Sequence, residues 1–229
     1  GNGSNVITNK GKIAVTTYSQ ASVWVETEDN DDEHRSTYDE TLVAGIRTGS
    51  GHDTIINRGT ISATSLIATK KTSLVGIDTG AGHDLVALHT DSEVHGKILL
   101  GEGDDTLELN GITTVTGGAD AGAGIDTLSM TGPGEVTGSG ALSGFEQVIK
   151  SGAGTFKLPA LATASWLELQ DGSLQVAGDY QFGSESVFYT WLNRDGSSGQ
   201  FAVTGSATVN GALDAERGLG PYPVGITNY

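Results

Sequence analysis

The chain contains no cysteine, only 4 prolines and few cations among its 229 residues. A zero cysteine count excludes a disulfide framework and any thiolate metal centre, and it leaves the redox compartment unreadable. So little proline beside 35 glycines excludes collagen-like and linker compositions. Lys and Arg together number 12 against 28 Asp and Glu, a net charge of -16. Phosphate binding needs clustered Lys and Arg, so nucleic acid is excluded as a partner. Such a charge suits a surface-exposed protein or one that collects cations. No apolar run reaches the length of a membrane-spanning helix. No charged-then-apolar leader opens the sequence, so an exported form would draw its signal from outside these residues.

What is there is repetition. GNGSNVITNKGKIAV at residues 1–15 returns as GSGHDTIINRGTISA at residues 49–63. The G-x-G-x-D signature recurs as GAGHD, GEGDD and GAGID, which places Asp at 53, 84, 105 and 126. The intervals are 31, 21 and 21, and a further 21 reaches Gln147; Asn5 occupies the same slot 48 residues before Asp53. Two positions after the slot stand Ile7, Ile55, Val86, Leu107, Leu128 and Ile149. Three positions before the first glycine stand Ile46, Ile77, Ile98 and Ala119. Within each unit the alternation has period two, that of a strand.

One geometry satisfies both periods. Each unit of about 21 residues winds once as short strands and turns, and the next unit stacks on it at a strand spacing of roughly 4.8 Å. The predicted fold is all-β: a right-handed, single-stranded parallel β-helix whose aliphatic columns fill a narrow core. An ordinary β-sandwich is the alternative, but it does not require like residues at a fixed offset. Coils are expected over residues 1–150, with an excursion from the wall at residues 17–42. Residues 151–229 are expected to hold the last coils and a β-hairpin cap, because longer alternating segments joined by DG, GD and SG turns carry most of the aromatics there. An open solenoid end needs such cover.

FEQVIKSGAGTFKL at residues 145–158 resembles the F-E-x-[LV]-x-K-x-G-x-G-T-[LF]-x-L motif of bacterial autotransporter passenger domains. GDYQFGSESVFYTWL and SGQFAVTGSATVNGALD resemble the autochaperone region that closes such passengers, and NKGKI and NRGTI are similar to the family's N-x-G-x-I turns. The resemblance covers most of the chain. It implies a right-handed β-helix displayed on the bacterial surface from a C-terminal outer-membrane barrel, with the C-terminal section nucleating passenger folding. The implied function is that of an adhesin acting by adhesion or self-association, with a host or bacterial surface protein or glycan, or a second copy, as partner. A structural stalk for an activity upstream is the alternative, and a carbohydrate-active β-helix enzyme is a weaker one.

Three groups of residues are candidate sites. G-x-G-x-D-x-U resembles the core of the RTX repeat, so Asp53, Asp84, Asp105 and Asp126 are read as a calcium ladder, or else as aspartates that bond turn amides. His52 and His83 share one offset, either as a metal or acid-sensing pair or as exposed turn residues. The acidic run within the excursion offers Glu28, Asp29, Asp31, Asp32 and Glu33 as a binding loop. No catalytic residue is assigned: no G-x-S-x-G elbow occurs, and Asp104 and Asp105, as adjacent strand residues, point to opposite faces.

Overall fold

The computed structural model describes residues 3–17, 43–65, 74–192 and 197–217. Between its glycine turns the chain forms short strands, three to a coil, and each strand pairs with its counterpart one coil away. The first face stacks Val6–Asn9, Thr54–Asn57, Leu85–His89, the first halves of Thr106–Val115 and Thr127–Thr137, then Gln147–Ser151, Trp166–Leu169, Val187–Leu192 and Ala212–Arg217. The second stacks Lys12–Thr17, Thr60–Ser65, Glu93–His95, the later halves of the two long strands, Thr155–Leu158, Ser173–Val176 and Gln200–Val203. On the third lie Val43–Ser50, Leu74–Ala81, Lys97–Glu102, Ala119–Ala123 and Leu142–Ser143, and further along Tyr180–Phe182 pairs with Ala207–Val209. The ladders on all three faces are parallel. This is a parallel β-helix.

The expected columns stand inside it. Ile7, Ile55, Val86, Leu107 and Leu128 pair in register as one file, and the last four of them are wholly buried. Ile46, Ile77, Ile98 and Ala119 form a second file on the third face. The glycines of the signature allow this stacking at close range. Gly101 has φ +113°, and a Cβ there would lie 1.8 Å from the carbonyl oxygen of Gly80 in the coil above. Only glycine fits.

Two expectations need correction. The file continues to Val148 and not Ile149, and the position after the slot goes to Gln147, paired with Thr127. That coil is one residue shorter than a constant count of 21 assumes, so Glu146 takes the Asp slot and Ile149 turns outward. Beyond residue 150 the expected last coils are present, and among the described residues they continue without the expected hairpin: Trp166–Leu169, Ser173–Val176 and Val187–Leu192 all pair in parallel with the next coil. Among the described residues the antiparallel contact there is a single bridge between Leu192 and Ser198. A DG or SG turn serves a coil corner as well as a hairpin. The aromatics Tyr180, Phe182, Phe188 and Phe201 pack into the interior of these coils edge to face or tilted, with centroids 4.9 to 6.2 Å apart.

Candidate functional site

The signature places its Asp at the corner that leads into the first face, two residues before the inward aliphatic file. Period-two alternation therefore sends the carboxylate inward, and Asp53, Asp84, Asp105 and Asp126 are all at most 2% exposed. Each reaches back to the coil before it. Asp53 Oδ1 accepts the N–H of Asn5, Asp84 Oδ1 that of Asp53, Asp105 Oδ1 that of Asp84, and Asp126 Oδ1 that of Asp105, every one at 2.7 Å. Glu146 Oε2 closes the series on the N–H of Asp126 at 2.9 Å. At the other end the Asn5 amide donates to the same Asp53 oxygen. The column is a line of staples between coils.

A second line runs beside it in the opposite sense, through the residue before the slot. Ser4 Oγ accepts the N–H of His52, His52 Nδ1 that of His83, His83 Nδ1 that of Asp104, and Asp104 Oδ1 that of Ile125. Here each side chain reaches forward to the next coil. The imidazoles of His52 and His83 stack with centroids 5.0 Å apart and planes at 12°. Both are exposed turn residues, and each accepts a backbone N–H at its Nδ1. Asp104 faces solvent while Asp105 is buried, so this acidic pair is split across the wall.

The environment divides the Asp column. Burial raises the Asp53 pKa, but hydrogen bonding from Thr48 and Asn5 outweighs it and holds the group below its ordinary value. Desolvation dominates at Asp105, where the Asp84 N–H opposes it and the charges of Asp84 and Asp126 add to it, pushing the pKa up to about 6. Asp126 is raised too, by burial first, then by Glu146 and Asp104 against the Asp105 N–H. The cause is visible on the third face. Its inward file runs Thr48, Thr79, Leu100, Ala121, so the hydroxyl five residues before Asp53 becomes an aliphatic side chain before Asp105 and Asp126.

Calcium takes 6–8 oxygens at 2.3–2.6 Å. Here one oxygen of every Asp is bonded to a backbone amide, the lower half of the column faces Leu100 and Ala121, and no group of three or more His, Asp or Glu converges among the described residues. The donor set does not fit calcium. Glu28, Asp29, Asp31, Asp32 and Glu33 lie outside the described residues.

No known family, curated protein or solved structure matches the chain. Three further constellations of polar side chains join neighbouring coils. Asn9 and Asn57 stack at the first-to-second-face corner, Asn9 Nδ2 donating to Asn57 Oδ1 at 2.8 Å while each Oδ1 accepts the glycine N–H two residues on. The N-x-G spacing announces this asparagine ladder. Lys150 occupies the same inward position lower down, wholly buried, its Nζ donating to the carbonyls of Ser151, Gly152 and Asp171. On the outer surface of the first face, Glu168 accepts the indole N–H groups of Trp166 and Trp191 at 3.1 and 3.2 Å. Trp166 stacks on Tyr189 at 5.2 Å, and Tyr189 meets Trp191 edge-on at 5.8 Å. The stacking runs from coil to coil, so Trp166 and Tyr189 turn faces to each other.

Proposed function

We propose that this chain is a stem segment of a cell-surface adhesin passenger of the autotransporter kind. In this reading it is displayed from a bacterial outer membrane and makes adhesive or self-associating contacts with surface protein or glycan along its wall. Catalysis is no part of the reading. The observation that carries it is the division of labour between inside and outside. The inward Asp and Asn side chains are bonded from coil to coil, whereas the outward files of the first face, Thr106 and Thr127, Glu108 and Ser129, Asn110 and Thr131, present hydrogen-bonding side chains at strand spacing. The motif at residues 145–158 adds support, since its Glu146 and Lys150 are structural posts of one coil.

The stalk reading draws on the same staples, which make a rod without needing an adhesive wall. Beads coated with the 229-residue chain separate the two. Adhesion to host or bacterial cells, or bead clumping, above beads carrying an unrelated protein of similar charge is the expected result, reduced when Glu108 and Ser129 are both replaced by Lys. Behaviour equal to the control beads would leave the stalk.

A further inference from the structure

Each staple engages one carboxylate oxygen and leaves the other. Oδ2 of Asp53, Asp84, Asp105 and Asp126 is buried without a hydrogen-bond partner. A buried polar atom in that state carries a desolvation cost, and a bare charge a larger one. Four such oxygens repeat at strand spacing inside an apolar tube, one coil from the next like charge. The salt bridges among the described residues lie elsewhere, at Arg47–Asp78, Lys97–Asp120, His83–Asp104 and Glu93–His95, and none reaches this column. The donor set does not suit a metal. The remaining counter-ion is the proton.

We propose that the lower half of the column, Asp105 and Asp126, holds protons on Oδ2, and that the stem is thereby a proton-loaded device that tightens on mild acidification. A neutral carboxyl keeps Oδ1 as acceptor for the amide of the coil above, so loading removes the repulsion and preserves the staple. The chain already contains the neutral version: Asn5 fills the slot in the first described coil and donates to Asp53.

The groups facing the column set the sense of the response. Within it stand Asp84 above and Glu146 below, beside it His83 and Asp104 from the neighbouring line, and across from it on the third face Thr79, Leu100 and Ala121. The Asp105 pKa is raised from its ordinary 3.8 to about 6. A folded-state pKa above the unfolded one contributes stability that is fully present below the unfolded value and is lost as pH rises through about 6. A comparison between variants, not a single curve, isolates the carboxyls.

The test is thermal unfolding of the full chain from pH 7.5 to pH 5 for wild type and for Asp105→Asn/Asp126→Asn, with Glu102→Gln/Glu185→Gln as the exposed, charge-matched control. The double Asn variant is expected to be at least as stable as wild type at pH 7.5. Wild type should gain on it by a Tm shift on the order of 5 °C at pH 5, with the control following wild type. Parallel curves for wild type and the double Asn variant would overturn the proposal. So would a Tm increase with calcium chloride, beyond that with magnesium chloride, that the double Asn variant loses. If that variant does not fold, infrared spectra of wild type decide: a protonated-carboxyl band is expected at pH 5.5, where solvent-exposed carboxylates are ionised, and its absence sinks the idea.

Discussion

Lys150 lies at the inward position that holds Met130 in the coil above and Leu169 in the coil below. Its methylenes continue that aliphatic file, while Nζ reaches the corner and gathers three carbonyls from two coils. Burial pushes its pKa below the ordinary lysine value, with Asp171 pulling the other way. Lys150→Met keeps most of the stem and removes all three donors. We expect a loss of about 3 kcal/mol in urea unfolding, and a larger one for Lys150→Ala, which adds a cavity. A loss below about 0.5 kcal/mol for the Met variant would mean that the carbonyls are satisfied without it. Gly101 makes the complementary case, where the residue matters by what it lacks. Ala at that position meets both a positive φ and the Gly80 carbonyl oxygen at 1.8 Å. Gly101→Ala should cost about 3 kcal/mol or more by the same measurement, whereas Gly132→Ala, with nothing within 4 Å of the added Cβ, carries only the backbone strain.

Among the strands, the outward edges of Trp166–Leu169 and Val187–Leu192 are joined by one carboxylate. Burial raises the Glu168 pKa, but bonds from Gln170, Trp166 and Trp191 outweigh it and keep the group ionised. Glu168→Ala leaves two indole N–H groups without their acceptor and frees both rings. The expected result is a marked loss of near-ultraviolet circular dichroism, an unchanged far-ultraviolet spectrum and about 1–2 kcal/mol less stability; Glu168→Gln, which retains one acceptor, should lie between. An unaltered near-ultraviolet spectrum would show that the rings are held by stacking alone.

The same strands mark how far the sequence could be read. Ile55, Val86, Leu107 and Leu128 were legible as one file because a solenoid repeats its side chains at a fixed offset. The count of 21 assigns the slot to Gln147 and the file to Ile149, each one position past Glu146 and Val148, because coil length is set at the corners, where a residue can be dropped without disturbing any strand. The run of aromatics from Trp166 to Phe201 suggested a cap, since alternation and turn residues do not distinguish a hairpin from the next coil. The acidic slot was found, but its direction was not: a count of residues places Asp at a corner without saying that Oδ1 points back along the tube. Lys150 and Glu168 were invisible as sites, because each acts through partners from other coils.

At the scale of the whole molecule, the nine first-face strands set eight spacings of roughly 4.8 Å, a rod about 40 Å long. An excess of 16 negative charges is distributed over the chain that builds it. The rod holds few compensating pairs, Arg47–Asp78 at 3.0 Å and Lys97–Asp120 at 2.8 Å being the Arg and Lys bridges among the described residues, and exposed pairs of this kind contribute little. Self-repulsion therefore outweighs attraction, and it is screened over a Debye length of about 10 Å at 0.1 M salt. Raising sodium chloride from 10 mM to 500 mM should increase Tm by on the order of 5 °C, with most of the gain below about 150 mM, where the screening length falls under the strand-to-strand reach of several coils. Magnesium and calcium chloride at matched ionic strength should give the same curve, because screening depends on charge and not on identity. A Tm that falls with salt would reverse the balance and place the stability of the β-helix in its ion pairs.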